Sequence, residues 1–137
     1  MSLREKLCGA RHLDSFVARD VDTGVESHPL GLSPRGLITY TPDGHMSAQL
    51  SRSDMSEYIA YGGGFHVDER TASVQHQVTM ATMPELLAAP QFRHAEVDGD
   101  RLLLSAEVTD DDGTASHSTL VWLRARSPTS EGTRGTR

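Results

Sequence analysis

The chain has 137 residues, of which 36% are apolar and 23% are charged, and its net charge is -6. This length is typical of one domain. A negative charge with no basic run argues against a nucleic-acid partner, because Lys and Arg supply most of that binding energy. Cys8 is the only cysteine, which excludes an internal disulfide bond and favours a reducing compartment. The first residues lack the apolar run of a secretory signal, and no stretch reaches the ~18 apolar residues of a membrane span. We therefore expect a cytoplasmic protein.

The pattern of turn signals predicts an all-β fold. Ser2 and Glu5 have the spacing of a capping box, which predicts a short helix that ends before Gly9. Short segments separated by turn residues follow, as in a sandwich or barrel. We predict an antiparallel closed β-barrel of eight to nine strands with one or two short helices. The predicted strands are 12–19, 25–30, 36–41, 45–50, 57–67, 73–82, 92–98, 101–108 and 116–125.

Three turns set the expected register. Pro42-Asp43-Gly44 predicts a type I turn with a bulge, closed by Thr41 opposite His45. One face of this hairpin then carries the residues that we expect to point inward, namely Ile38, Tyr40, Met46, Ala48 and Leu50. Asp98-Gly99 predicts a second hairpin, and 110–113 a third turn. The triplet 62–64 is all glycine and predicts a bulge that bends the barrel.

Two short helices are predicted between strands, each placed to cover a barrel mouth. One would begin at Ser53, and the other would lie between Pro84 and Pro90. We expect the barrel domain to occupy residues 1–126. Residues 127–137 contain no apolar side chain and are predicted to be a disordered tail.

Alternation also identifies polar residues on the expected inner face. His76 shares a face with Val78 and Met80, and Arg93 shares one with Ala95 and Val97. A buried guanidinium needs acceptors. Arg93 is therefore expected either to pair with an interior acid or extend to solvent, or to hold a carboxylate, enolate or carbonyl of a ligand.

Aromatic residues complete the predicted site. Tyr40 offers a phenol at the inner face and Trp122 a wall for flat ligands, although both residue types serve more often as packing. Tyr58 and Tyr61 fall on opposite faces, so only one of them can face the interior. The full set predicted to line a ligand is Ile38, Met46, Ala48, Tyr61, Val78, Met80, Leu104 and Trp122.

The sequence lacks the motifs of a metal site and of a catalytic triad. The seven histidines show no metal-binding spacing, and no G-x-S-x-G turn supports a Ser-His-Asp triad. Asp110 to Asp112 is interpreted as a solvated turn rather than as a calcium loop. We therefore predict no metal and no cofactor.

Several runs together resemble the lipocalin-like domain family of bacteria and fungi, over about residues 5–126. The resemblance is carried by Pro29-Leu30-Gly31, the run 35–44 (RGLITYTPDG), the run 46–50 (MSAQL), the run 58–61 (YIAY) and Leu120-Val121-Trp122. It implies a calycin-type barrel with a central cavity. Members are often encoded beside natural-product genes, and most lack an assigned activity.

The chain departs from the family pattern at two places. Arg11 stands where the family usually carries Trp, which predicts a more open or more polar barrel end. The connection between Leu50 and Tyr58 is shorter than in many relatives, which predicts a wider mouth.

Three functions fit this sequence. The first is a cofactor-free cyclase or isomerase of an apolar, polyketide-type intermediate, in which His76, Tyr40 and Arg93 move protons or stabilise an oxyanion. The second is a carrier or sensor that binds a small hydrophobic molecule without changing it. The third is a protein-interaction barrel with a filled core. We prefer the first function slightly, partly because members of the family are often encoded beside natural-product genes. A homodimer is compatible with all three, whereas nucleic-acid and membrane partners are not expected.

Overall fold

A computed structural model describes residues 1–125, which begin with a short helix, α1 (Leu3–Leu7). The capping box is present, because Ser2 Oγ accepts a hydrogen bond from the Glu5 backbone N–H at 3.1 Å. The Glu5 carboxylate in turn accepts from the Ser2 backbone N–H at 2.9 Å. The predicted capping box and the predicted short helix before Gly9 are therefore confirmed.

Nine strands follow α1 and form one antiparallel sheet. They are β1 (Gly9–Asp20), β2 (Glu26–Ser27), β3 (Arg35–Tyr40), β4 (His45–Ser51), β5 (Ile59–Asp68), β6 (Ser73–Ala81), β7 (Gln91–Asp98), β8 (Arg101–Thr109) and β9 (Ala115–Arg124). Consecutive strands from β3 to β9 are neighbours, β1 pairs with β3, and β1 also pairs with β9. This last pairing closes an eight-stranded barrel, and β2 is an extra strand beside β1. The predicted closed antiparallel barrel is confirmed.

The first hairpin has the predicted register. Gly44 has a φ of +96°, a value that glycine adopts at little cost. The Thr41 backbone N–H donates to the His45 carbonyl, and Tyr40 pairs with Met46. The five residues expected to point inward from β3 and β4 are all buried in the core.

The side chains inside the barrel grow larger from one end to the other. On the neighbouring strands β8, β9 and β1, a row of small residues is followed by two rows of large ones. The rows are Ala106–Ser118–Ala18, then Leu104–Leu120–Phe16, then Leu102–Trp122–Leu13. The first row and part of the second are half-exposed, whereas the third is buried. The inner side chains of these strands are therefore small at the first row, which we call the open end, and large at the opposite end, which we call the closed end.

Helix α1 covers the closed end and is held at both of its termini. The Glu69 carboxylate accepts from the Leu3 and Arg4 backbone N–H groups at 2.9 and 3.2 Å. At the other terminus the guanidinium groups of Arg11 and Arg124 donate to backbone carbonyls of residues 6–8. Arg11 is fully buried, so it makes this end polar. The alternative expectation, that Arg11 leaves the end more open, is wrong because its side chain binds the helix.

A β-bulge separates the two halves of the β5–β6 ladder. The register shifts between Gly62 and Gly63, as expected from the glycine triplet. A side chain at Gly63 would overlap the Gln77 carbonyl, so this position requires glycine. The extra residue on β6 turns Met80 to the outer face, where it pairs with Gly62 and is 75% exposed. The prediction that Met80 points inward is therefore wrong.

The connections at the open end differ from the expectation in one case. Residues 52–58 form turns rather than a helix, with positive φ at Met55 and Glu57. Residues Pro84–Leu87 do form one 3-10 turn, η1. The predicted tail, 127–137, lies outside the described residues. Within residues 1–125, α1 and η1 are both too short to cross a membrane.

Candidate binding site in the barrel interior

Tyr40 and His76 form a buried polar pair inside the barrel. Tyr40 lies on β3 and His76 on β6, and the Tyr40 Oη and His76 Nε2 atoms are 2.6 Å apart. His76 has no exposed surface, and Tyr40 is 1% exposed. The pair is therefore a hydrogen bond across the interior between strands that are not neighbours. The other ring nitrogen, His76 Nδ1, is buried and has no partner among residues 1–125.

Burial keeps both members of this pair neutral. Desolvation lowers the pKa of His76 to about 3, and the nearby charge of Arg93 acts in the same direction. Desolvation also raises the pKa of the Tyr40 phenol well above its usual value, helped by Tyr61 and opposed by Arg11 and Arg93. A neutral imidazole carries one donor and one acceptor nitrogen. Whichever tautomer forms, the pair retains hydrogen-bonding capacity for a further group.

Tyr61 and Arg93 lie beside this pair. The Tyr61 and His76 ring centroids are 5.9 Å apart, and Tyr58 lies outside at 47% exposure, so Tyr61 is the inward tyrosine. Burial raises the pKa of Tyr61, and Arg93 opposes that rise. Arg93 is half-buried, and its Nη1 donates to the Phe92 carbonyl. No carboxylate forms an ion pair with Arg93 within residues 1–125, so the expected pairing with an interior acid is not found there.

Apolar side chains surround the polar group. Five of the predicted lining residues are buried in the core, namely Ile38, Met46, Ala48, Leu104 and Trp122. Val78 is half-buried and pairs with Gly63. Met80 alone among the predicted set lies on the outer face, as described above. The three residues predicted to be catalytic thus lie in one region of the barrel, namely His76, Tyr40 and Arg93. Most of the predicted apolar lining residues surround that region.

Three interior residues were not among the predicted site residues. Phe65 packs edge-on against Tyr40, with ring centroids 4.9 Å apart, and Phe16 lies in the middle row of the interior. Both could have been found by alternation, since Phe65 lies an even number of positions from Tyr61. Arg11 is the third. The family resemblance indicated its place at the barrel end, but its hydrogen bonds to α1 had no signal in the sequence, because they depend on the position of α1.

The outer wall of the barrel carries a separate groove. It lies between β1, β3, β4 and the 52–58 connection, and it has a volume of about 420 Å³. Its lining includes His12, Leu37, Gln49, Met55 and Tyr58. Within residues 1–125 no group of three His, Cys, Asp or Glu side chains is placed to bind a metal ion.

Comparison with known proteins agrees with this architecture. No curated protein matches the chain significantly. The sequence model of the lipocalin-like domain family matches residues 8–56 and 53–125, which together span the eight strands of the barrel and the extra strand β2. A barrel of this kind suggests small-molecule binding. The chain belongs to the lipocalin-like domain family.

Proposed function

We propose that the protein binds one small, largely apolar molecule in the barrel interior, with the Tyr40–His76 pair as its polar anchor. The observation that carries this proposal is the hydrogen bond between two fully buried polar side chains, one of which keeps an unpartnered nitrogen. Leaving a buried polar atom unpaired costs about 1–3 kcal/mol. A ligand that supplies the missing partner recovers that free energy on binding.

The sizes of the inner side chains support the same proposal. The row Ala106–Ser118–Ala18 has small side chains at the open end, and the larger rows below it are mainly apolar. Eight-stranded barrels are just wide enough to hold one small ligand when their inner side chains are small. The ligand is therefore mainly apolar, with at least one hydrogen-bonding group that reaches His76.

A second candidate is catalytic, namely a cofactor-free cyclase or isomerase of a polyketide-type substrate. It is favoured by the position of Arg93 near two phenols and the imidazole, since a cation and neutral donors together stabilise a developing enolate oxygen. These reactions rearrange the atoms of one substrate, so no co-reactant is required. A histidine with a pKa of about 3 is a weak base near neutral pH, so the chain would act by electrostatic stabilisation and positioning.

Binding is tested with N-phenyl-1-naphthylamine, an apolar fluorescent probe with one N–H group. We expect saturable binding that weakens about tenfold in Tyr40→Phe and His76→Gln, which corresponds to roughly 1.4 kcal/mol. Tyr58→Phe is the matched control, because Tyr58 lies outside the barrel, and its affinity should equal that of the wild type. Absence of binding, or equal affinity in all three variants, would refute the proposed site.

Catalysis is tested separately with benzoylacetone, a 1,3-diketone whose conversion between enol and ketone is followed by ultraviolet absorbance. If the protein is an isomerase, it accelerates this conversion, and His76→Ala, Tyr40→Phe and Arg93→Ala each reduce the acceleration at least tenfold. A carrier binds benzoylacetone without changing the rate of conversion.

A further inference from the structure

Two buried N–H groups at the closed end of the barrel have no hydrogen-bond partner among residues 1–125. They are Nε of Arg11 and Nε1 of Trp122. Arg11 has no exposed surface, and Trp122 is 1% exposed. Native proteins rarely leave buried polar atoms unpaired, and those that are unpaired usually meet a water, an ion or a ligand.

The two groups belong to the same part of the interior. On the β1–β9 ladder Arg11 pairs with Arg124, and Leu13 pairs with Trp122. Arg11 and Trp122 are therefore diagonal neighbours on adjacent strands, with both side chains on the inner face. Such positions lie about 7–8 Å apart, within reach of long side chains. Tyr40 is a second diagonal neighbour of Arg11, through the pairs Gly9–Tyr40 and Arg11–Ile38.

The chemistry of these atoms defines what is missing. An arginine Nε and an indole Nε1 can only donate hydrogen bonds, so the partner must be an acceptor. The other two guanidinium nitrogens of Arg11 already donate to the Leu7 and Lys6 carbonyls, at 2.8 and 2.7 Å. Nε, the nitrogen nearest the strand, is the one guanidinium nitrogen of Arg11 that has no partner among residues 1–125.

The charge of Arg11 further narrows the range of acceptors that could fit these two donors. No carboxylate forms an ion pair with Arg11 in the described part of the chain. Burial lowers the pKa of Arg11, and the neighbouring guanidinium of Arg124 acts in the same direction, while the carboxylate of Asp100 opposes this shift. A buried cation that has only carbonyl partners favours an oxygen with high negative charge density.

We propose that Arg11 and Trp122 form a subsite that binds a carboxylate or ketone oxygen of the ligand at the closed end of the barrel. This inference rests on the proposed function, because the ligand enters the same interior. The molecule then lies with its polar end against Arg11 and Trp122, and it passes the Tyr40–His76 pair on the way. The ligand class is an apolar chain or ring system with a terminal acid or ketone.

The subsite has a direct spectroscopic probe. Trp122 is the only tryptophan, so a ¹⁵N-labelled protein gives one indole N–H signal. Three probes of equal chain length are titrated, namely decanoate, 2-decanone and decyltrimethylammonium. We expect decanoate and 2-decanone to move the indole proton signal downfield, because each offers an acceptor. The ammonium compound offers none and should leave the signal in place. A larger shift with decanoate than with 2-decanone identifies the charged acceptor as the preferred one.

A variant supports the same measurement. Trp122→Phe keeps an aromatic ring and removes the N–H, and it should weaken decanoate about fivefold without weakening decyltrimethylammonium. If this variant does not fold, the wild-type signal alone decides the question.

Two results separate the subsite from the proposed function. If decanoate binds while the indole signal stays still, a trapped water is the partner and the subsite is wrong, although the interior still binds ligands. If none of the three probes binds but N-phenyl-1-naphthylamine does, the subsite is again wrong. Loss of N-phenyl-1-naphthylamine binding as well contradicts the proposed function itself.

Discussion

The buried, neutral state of His76 predicts that the protein loses stability as the pH falls through the weakly acidic range. Folding lowers the pKa of His76 from about 6.5 to about 3, mainly by desolvation. Between these values the unfolded chain binds a proton that the folded chain does not. The stabilisation is therefore complete above about pH 6.5 and is lost as the pH falls towards 3.

The size of the effect follows from the same shift. Each pH unit between the two pKa values removes about 1.4 kcal/mol from the free energy of unfolding. Between pH 8 and pH 5 the expected loss from His76 alone is about 2 kcal/mol. A small protein with a typical urea dependence then unfolds at a midpoint roughly 1 M lower at pH 5.

The assay compares urea unfolding at pH 8 and pH 5 in the wild type, His76→Gln and His66→Gln. His66 lies exposed on the neighbouring strand β5, so its variant controls for the loss of an imidazole. His66→Gln should keep the full pH dependence. In His76→Gln the drop in the free energy of unfolding between pH 8 and pH 5 should be about 2 kcal/mol smaller than in the wild type, whatever the stability of the variant at pH 8. An unchanged pH dependence in His76→Gln would show that His76 is not buried in the neutral form.

Further predictions follow from single contacts, each measured by chemical denaturation. Tyr40→Phe leaves His76 Nε2 without its partner and should lower the free energy of unfolding by about 1–3 kcal/mol. Tyr61→Phe removes no hydrogen bond to any residue between 1 and 125, and it should change that free energy by less than about 0.5 kcal/mol. Gly63→Ala places a methyl group against the Gln77 carbonyl and should cost about 3 kcal/mol; Gly64→Ala meets only ordinary contacts and should cost less than about 1 kcal/mol. Equal effects within either pair would contradict the contact invoked.

How much of the site could be predicted depended on local turn chemistry. The Pro42-Asp43-Gly44 turn sets the register of its hairpin, so alternation placed Tyr40 and Ala48 inside correctly. The same reasoning succeeded for His76, which precedes the bulge. It failed for Met80, which follows the bulge, because the glycine triplet indicates a bulge without showing which strand carries the extra residue.

Long-range contacts were outside the reach of the sequence. The burial of Arg11 depends on the carbonyls of α1, and α1 is itself held by Glu69 and Arg124 from distant parts of the chain. The hydrogen bond between Tyr40 and His76 likewise joins strands that are not neighbours in the sheet. Periodicity could indicate that both residues face inward, but it carried no information on which inward residues meet.

The pairing of β1 with β9 has a consequence for how the protein is made. These two strands stand at opposite ends of the described chain, yet their ladder runs from Arg11–Arg124 to Asp20–Ser116. During synthesis β1 therefore cannot pair with β9 until nearly the whole barrel has left the ribosome. Until then the edges of β1 and β8 that β9 will cover are free to pair with other chains. Slow translation or a missing last strand should accordingly send this protein towards aggregation, and chaperone demand should peak just before β9 emerges.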